Sequence, residues 1–255
     1  MFKADIFKGK IALVTGGGSG IGYEIARQLL EYGAEVYISS RKAERIEAAA
    51  EELRQYGTCH TFALDIRQVE RVEELAAHIQ EKSGRLDLLI NNAGGQFPSP
   101  AEAISPNGWQ AVINTNLNGT WFMTQTMAKH FFLPQQSGCI INIIVDHYRG
   151  VPGMAHTAAA RAGVDNLTKS LAIEWANRKV RINSIAPGII QSSGLQHYPP
   201  ELVAQVSKTI PMKRLGTTAE IAEAVLFVAL SEYITGETLY VDGGSRLWGD
   251  VWQIE

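Results

Sequence analysis

The sequence predicts an α/β fold in which a doubly wound, mostly parallel sheet of about seven strands carries helices on both faces. Strand-like and helix-like segments alternate along the chain. The strand-like runs are continuously apolar, which is typical of strands buried on both faces of a sheet. A glycine-rich turn, residues 15–22, follows the first of these runs and precedes the first helical segment. This position predicts a Rossmann-type nucleotide site.

The first half of the chain supplies four predicted strands and three helices. The helix at 43–55 is rich in Ala, Glu and Arg, and the helix at 69–82 is amphipathic. The fourth strand ends in Asn91-Asn92. The predicted strands are residues 11–14, 35–39, 58–64 and 86–90, and the helices are residues 21–32, 43–55 and 69–82.

The second half continues the alternation with three more strands and three helices. Gly138 and a polar loop bracket the fifth strand, and the sixth ends at Pro187-Gly188. Residues 189–214 contain scattered Gly, Ser, Pro and His, and we interpret them as a long loop with one short helix that serves as a lid. The predicted strands are residues 139–145, 180–185 and 238–241, and the helices are residues 107–132, 155–178 and 219–230.

Composition limits the classes of function. The 255 residues are 45% hydrophobic and 19% charged, so we expect one packed domain over residues 1–255. A net charge of −3 gives no reason to expect nucleic acid or an anionic membrane as the main partner. No apolar run is long enough to span a bilayer, no signal peptide is evident, and no Cys/His spacing indicates a metal site. Cys59 and Cys139 are expected to be reduced core residues, and the protein cytoplasmic.

The glycine-rich turn predicts where a pyrophosphate binds. Glycine lets the backbone turn tightly and approach the phosphate, while the following helix directs its free N–H groups and positive dipole end toward it. The residues expected to bind the cofactor here are Gly16, Gly18, Ser19, Gly20, Ile21 and Gly22.

The end of the second predicted strand indicates which cofactor binds. NAD sites usually place a carboxylate there for the ribose 2′-hydroxyl, but this chain has Ser39-Ser40-Arg41-Lys42. Arg41 can hold a 2′-phosphate through a bidentate contact, with Ser40 beside it. We therefore predict NADP(H); the alternative is that Arg41 is a solvated residue at a helix start.

Four further motifs are similar to those of the short-chain dehydrogenase/reductase family. They are Asn91-Asn92-Ala93-Gly94, the segment 114–119 with Asn116, Pro187-Gly188 followed by Ser192, and Val241-Asp242-Gly243-Gly244. The resemblance implies strand order 3-2-1-4-5-6-7, a cofactor across the carboxyl ends of the strands, and a homotetramer. The further cofactor residues that it implies are Asp65, Ile66, Asn92, Ala93, Gly94, Arg161, Pro187, Gly188, Ile189 and Ser192.

The chain departs from this family's catalytic pattern, which is a Ser followed by Tyr-x-x-x-Lys. The Tyr position is Thr157, the Lys position is Arg161, and residues 143–145 contain no hydroxyl. A Thr hydroxyl is several pKa units less acidic than a Tyr hydroxyl, and Arg cannot relay a proton. Ordinary interconversion of alcohols and ketones is therefore expected to be poor.

Other segments resemble the peroxisomal trans-2-enoyl-CoA reductases and, more distantly, the 2,4-dienoyl-CoA reductases of the same family. In both groups a hydride goes to an alkene carbon conjugated to a thioester, which leaves an enolate. The thioester oxygen then needs hydrogen-bond donors more than a strong acid. The segments are residues 93–97, 99–102, 141–145 and 159–164.

The resemblance implies roles for three residues. Thr157 is expected to bond the thioester oxygen, although it could simply cap its own helix. Arg161 is expected to hold the nicotinamide ribose, or else is an ordinary surface arginine. Asn116 is expected to hold a helix bulge and a water chain, or else is a buried amide satisfied by backbone.

The loop after the fifth strand supplies further candidates. Tyr148 is a hypothetical proton donor, Asp146 could orient a water or be solvated, and His147 lies between them. Gln96 and Phe97 are expected to line the pocket mouth.

Three functions stay open on the sequence. The first is an NADPH-dependent reductase of 2-enoyl thioesters, with an acyl-CoA as substrate. The second is an NADP-dependent dehydrogenase of lipophilic, for example terpenoid, alcohols or aldehydes, with Tyr148 as a displaced acid. The third is a cofactor-binding scaffold or redox sensor with little catalysis.

Overall fold

A computed structural model of the chain describes residues 2–247 except residues 193, 194 and 196–199; for residues 200–204 it describes the backbone alone. Seven parallel strands form one sheet in the order β3-β2-β1-β4-β5-β6-β9, which confirms the predicted order. The seventh strand is numbered β9 because two short strands, β7 and β8, pair with each other in a separate sheet. The strands are β1 Ile11–Thr15, β2 Glu35–Ser40, β3 Cys59–Ala63, β4 Leu88–Asn91, β5 Gly138–Ile143, β6 Val180–Pro187, β7 Ile190–Gln191, β8 Gly216–Thr217 and β9 Thr238–Val241.

Helices cover both faces of the large sheet, as predicted. One face packs against α1, α2 and α9 through side chains such as Leu29, Leu53 and Val225, all fully buried. The other packs against α3, α5 and α7 through Leu75, Met123 and other buried residues. The helices are α1 Gly20–Glu31, α2 Ala43–Leu53, α3 Val69–Ser83, α4 Pro106–Ile113, α5 Gly119–Met127, α6 Leu133–Gln135, α7 Ala155–Trp175, α8 Pro200–Thr209 and α9 Thr218–Leu230.

The helix predicted at 107–132 is a longer composite. Its pieces α4, α5 and α6 are joined by two π-helical turns, Asn114–Asn118 and Ala128–Phe132. Hydropathy periodicity does not reveal such turns, because each inserts one residue without breaking the apolar face. π-Helical turns inside α-helices are frequent at functional sites.

The predicted lid contains more regular structure than one short helix. β7 and β8 flank the segment and pair in parallel, with Ile190 opposite Gly216, and α8 lies between them. That pairing joins residues far apart in sequence, so local pattern does not encode it. Residues 193, 194 and 196–199 of this segment lie outside the described part, and its action as a lid stays a prediction.

The two cysteines and the lengths of the helices bear on two of the earlier expectations. Cys59 and Cys139 are both buried and free, and burial raises the pKa of each thiol. Among the helices of the described residues, none is long and apolar enough to cross a membrane.

Candidate active site

A cavity of about 950 Å³ opens at the carboxyl ends of the central strands. In doubly wound sheets this edge is where ligands bind. Every residue predicted to contact the cofactor lines this cavity, with the exception of Gly22. Gln96 and Phe97 line it as well, and their position at the pocket mouth stays a prediction.

The glycine-rich turn is held against Asn92. Gly16 adopts a φ of 69°, and a Cβ placed on it would lie 2.8 Å from Asn92 Nδ2. A Cβ on Gly22 would collide with the same amide and with the Gly16 carbonyl. Gly22 therefore allows α1 to approach Asn92, and its contact with a cofactor stays a prediction. Ser19 precedes α1 without capping it through its side chain, so no side-chain oxygen of Ser19 satisfies the free N–H groups of the first turn.

Thr15 is a site residue that sequence reasoning missed. Its Oγ1 accepts hydrogen bonds from the backbone N–H groups of Asn92 (3.0 Å) and Ala93 (2.9 Å). The same hydroxyl lies 3.3 Å from the Ile90 carbonyl, to which it donates. Thr15 thus joins the glycine-rich turn to the loop after β4. A hydroxyl at the end of a buried strand, directly before the turn, was the available signal.

Cationic side chains gather at the β2 end of the cavity. Asp65 lies 2.5 Å from Arg67, whose hydrogen bonds hold the pKa of this carboxyl below its usual range. Because Arg67 neutralises Asp65, the positive charges of Arg41, Lys42 and Arg45 are left to face the cavity. Lys42 and Arg45 were not among the predicted contacts; Arg45 lies on α2, where only the fold brings it to Gly18.

Arg161 is a buried cation at the centre of the cavity wall. Its residue surface is 7% exposed, and among the described residues none accepts a hydrogen bond from its Nε. Burial lowers its pKa to about 10, which still leaves it charged at neutral pH. A buried charge without a partner is costly, so an oxygen-bearing ligand in the cavity would relieve that cost.

Asn116 lies in the first π-helical turn and is buried. Its Nδ2 donates to the Gly95 carbonyl over 2.7 Å, and its Oδ1 accepts from the Gly95 N–H over 2.9 Å. The amide is thus satisfied by backbone while it also fixes the loop that lines the cavity. The predicted link to a bulge fits this position, and a role in a water chain stays a prediction.

Thr157 and its neighbour His156 are buried in the first turn of α7. Neither lines the cavity among the described residues. The Thr157 N–H donates to His156 Nδ1 over 2.8 Å, and Thr157 Oγ1 lies 3.4 Å from the same nitrogen. The role of Thr157 toward a thioester oxygen therefore stays a prediction, and His156 is a residue that the sequence reading missed.

Of the three candidates on the loop after β5, His147 and Tyr148 lie against Tyr240 of β9, and the Asp146 N–H donates to the Pro187 carbonyl of β6. Tyr148 is 64% exposed and packs edge-to-face on Tyr240, with ring centroids 6.2 Å apart. His147 lies parallel to Tyr240 and 3.9 Å from Asp165. Burial raises the pKa of Asp146. None of the three belongs to the described cavity lining, and their substrate roles stay predictions.

Within the described residues, the cavity lining contains no His, Cys, Tyr or Glu side chain. Its ionisable side chains there are Arg41, Lys42, Arg45, Asp65, Arg67 and Arg161. Among the described residues, no three His, Cys, Asp or Glu side chains cluster as metal ligands would. The apolar residues of the lining include Phe97, Pro98, Ile144, Val145, Met154, Ile189, Leu195 and Val206.

Comparison with known proteins gives the family. The model of a family described as "Enoyl-(Acyl carrier protein) reductase" matches residues 16–246. A Bacillus subtilis (strain 168) protein named "Probable 2,4-dienoyl-CoA reductase [(2E)-enoyl-CoA-producing]" is 38% identical over 93% of this chain and 97% of its own length. A glucose 1-dehydrogenase of Gluconobacter oxydans (strain 621H) is also 38% identical, over 96% of this chain and 95% of its own.

A solved structure is also similar to this chain in fold and sequence. The "citronellol catabolism dehydrogenase (AtuB)" of Pseudomonas aeruginosa PAO1 superposes with a TM-score of 0.87 at 36% identity, covering 96% of this chain and 98% of that one. The related sequences thus include dienoyl-CoA reductases, sugar and terpenoid dehydrogenases, so likeness alone does not fix the substrate. The fold, the glycine-rich turn and these matches together place the chain in the short-chain dehydrogenase/reductase family of oxidoreductases.

Proposed function

We propose that this protein is an NADPH-dependent reductase of carbon–carbon double bonds conjugated to a thioester, with acyl-CoA substrates. The observation that carries the proposal is the buried Arg161, whose Nε has no partner among the described residues, in a cavity whose described lining has no group able to act as an acid near neutral pH. Such a site can hold a nicotinamide cofactor, but it is poorly equipped to protonate an alkoxide.

The residues present fit NADP(H). The N–H groups at the start of α1 suit the pyrophosphate, and Arg41, Lys42 and Arg45 suit the 2′-phosphate. Arg161 would donate to the hydroxyls of the nicotinamide ribose, and residues 187–189 with Ser192 would lie on the nicotinamide side. When bound, NADPH supplies a hydride equivalent.

The absence of an acid favours conjugate reduction over ketone reduction. A ketone becomes an alkoxide and must be protonated on oxygen, a step to which a positioned acid contributes about 10²–10⁴-fold in rate. An enoyl thioester instead becomes an enolate, whose oxygen needs only hydrogen-bond donors. Water can then supply the proton to Cα, so one hydride and one proton are consumed for each double bond.

The apolar part of the lining supports an acyl chain as substrate. Phe97, Met154 and Val206 line the cavity with other apolar side chains, where a hydrocarbon chain would be buried favourably. The Bacillus subtilis relative is named for a 2,4-dienoyl-CoA substrate. We therefore extend the proposal to 2,4-dienoyl thioesters, in which the same cofactor chemistry acts on a longer conjugated system.

The test follows NADPH oxidation at its absorbance band. The substrates are crotonyl-CoA, a longer trans-2-enoyl-CoA and a 2,4-dienoyl-CoA, compared with a panel of ketones and aldehydes. We expect consumption with the thioesters and little with simple ketones. Consumption with ketones alone would overturn the proposal, and tight NADPH binding without any turnover would favour a cofactor-binding scaffold.

A dehydrogenase of lipophilic alcohols is the second candidate, favoured by the likeness to the citronellol catabolism dehydrogenase. It would need an acid/base group, and Tyr148, the predicted one, packs against Tyr240. Reduction of NADP⁺ by citronellol, at a rate above that of the thioester reaction, would select this reading. A homotetramer, which the family resemblance implies, and a cytoplasmic location are further proposals; light scattering on the purified protein measures the oligomer.

A further inference from the structure

His156 carries a buried polar atom that the fold does not satisfy. Its residue surface is 0% exposed. The Nε2 atom has no hydrogen-bond partner among the described residues. Buried polar atoms are nearly always paired, and an unpaired one calls for an explanation such as a ligand. Within the described residues, this atom is therefore available to a ligand.

The hydrogen bond at the other ring nitrogen fixes what His156 can offer. Nδ1 accepts from the Thr157 N–H over 2.8 Å, so Nδ1 carries a lone pair. The imidazole is then the tautomer with its proton on Nε2. This bond gives Nδ1 a structural purpose, because it satisfies one of the free N–H groups in the first turn of α7. No comparable bond is made by Nε2 among the described residues, so its N–H remains an unused donor.

The surroundings of His156 connect it to the substrate end of the cavity. Its ring packs edge-to-face on Phe97, with centroids 4.5 Å apart, and Phe97 lines the cavity at 38% exposure. Met154, two residues earlier, lines the cavity too. The 21-residue helix α7 also directs its positive end toward this region. A rotation of the Phe97 side chain would uncover the imidazole to the cavity.

We propose that His156 donates a hydrogen bond from Nε2 to the carbonyl oxygen of the thioester substrate once Phe97 moves aside. This inference rests on the proposed function. It adds a donor beside Phe97, and the bond strengthens as negative charge develops on that oxygen in the enolate. No proton leaves the ring: His156 donates a hydrogen bond, and the Cα proton comes from water.

Two substitutions separate the structural use of the ring from this role. His156→Asn keeps a short acceptor for the Thr157 N–H, because the Asn Oδ1 can replace Nδ1, but it removes the donor at the Nε2 position. His156→Gln keeps an N–H donor near the Nε2 position and weakens the bond to the Thr157 N–H. If the role of His156 is purely structural, the Asn variant should keep more of the wild-type behaviour. If His156 binds substrate, the Gln variant should keep more of it.

The experiment records the infrared carbonyl stretch of carbonyl-¹³C-labelled trans-2-hexenoyl-CoA bound to the cofactor-free protein, with binding measured by calorimetry. We expect a lowered stretch frequency in wild type and the Gln variant, and a frequency close to that in an apolar solvent in the Asn variant. Turnover of the Asn variant should fall by about 100- to 1000-fold, as for loss of one such donor, and the Gln variant should stay within about tenfold of wild type.

Each other outcome has a definite meaning. An unchanged frequency in a folded Asn variant would overturn the role of His156 and leave the proposed function standing. Failure of wild type to bind or reduce the thioester would overturn the proposed function and this inference with it. If the Asn variant does not fold, ¹⁵N spectra of wild-type histidines decide: an Nε2 signal of His156 that does not move on thioester binding would overturn the proposal.

Discussion

Asn116 and Gly95 are joined by two hydrogen bonds, with the side-chain amide of Asn116 spanning both backbone groups of Gly95. The pairing connects a π-helical turn to the loop that lines the cavity. Gly94, next in that loop, faces Asn116 Oδ1 and the Arg161 guanidinium so closely that a Cβ would lie 2.8 Å from the former. The π-helical turn that carries Asn116, the loop at Gly94 and Gly95, and the buried Arg161 therefore fix each other's positions.

Replacing Asn116 should destabilise the ligand-free protein. In Asn116→Ala both polar backbone groups of Gly95 lose their partners, which we expect to lower the free energy of unfolding by about 1–3 kcal/mol. Urea denaturation measures this. The control is Asn118→Ala in the same turn, where the lost bond to Asn114 is exposed. Equal effects of the two substitutions would contradict the positioning role of Asn116.

Adding one methyl group at Gly94 should act differently from adding it at Gly95. A Cβ at Gly94 collides with Arg161, whereas a Cβ at Gly95 meets no atom within 4 Å. We expect Gly94→Ala to lower the free energy of unfolding by about 1–3 kcal/mol and Gly95→Ala to change it by less than about 0.5 kcal/mol. Thermal unfolding of the ligand-free variants tests the pair, and a benign Gly94→Ala would disprove the close contact.

Replacing Arg161 should stabilise the ligand-free protein and weaken its binding of NADPH. Arg161→Met removes a buried charge whose Nε has no partner among the described residues, so the ligand-free protein should become more stable by about 1 kcal/mol or more. At the same time the Kd for NADPH should rise about 10- to 100-fold, because charge-assisted hydrogen bonds are lost. Denaturation and fluorescence titration measure the two effects. Unchanged NADPH affinity would refute the ribose contact, and Arg161→Lys is expected to retain most of it.

Arg41 should discriminate between the two nicotinamide cofactors. Arg41→Ala is expected to weaken NADPH binding by about 10- to 100-fold and to leave NADH binding nearly unchanged, because only NADPH carries the 2′-phosphate. Arg178→Ala, at an exposed turn before β6, is the control. Tighter binding of NADH than of NADPH by wild type would refute the assignment of NADP(H).

Thr217 and Glu220 form a capping box at the start of α9. We expect this cap to contribute to stability in a pH-dependent way. Hydrogen bonds from Arg214 and from Thr217 hold the pKa of Glu220 at about 2. A carboxyl with a depressed pKa stabilises the fold above its unfolded pKa of about 4.5, and that contribution disappears as the pH falls toward 2. Glu220→Gln should therefore lower the Tm at pH 7 and have little effect near pH 2.

The matched control for the cap is Glu223→Gln, on an exposed position of the same helix. We expect the Tm of that variant to follow wild type at every pH. A Glu220→Gln deficit of the same size at pH 7 and pH 2 would mean that the capping geometry, rather than the ionised carboxylate, provides the stability.

Much of the fold follows from local sequence. Most strands of the large sheet are short runs rich in apolar residues, and several helices begin or end at Gly, Pro or a capping residue. Local pattern therefore gave the elements, and the family resemblance gave the order of the parallel strands. The glycine-rich turn and Arg41 were predictable too, because both lie at strand ends, and parallel strands end at one edge of the sheet.

The tertiary structure alone decided which side chains face the cavity and which are satisfied. The rotation of α7 leaves Arg161 buried in the cavity wall without a partner for its Nε, while Thr157, four residues earlier, lies outside the lining. The same packing leaves His156 Nε2 unpaired. Sequence predicts where a helix forms, but the burial and pairing of a side chain depend on neighbours distant in sequence, and those arise only when the sheet and helices pack together.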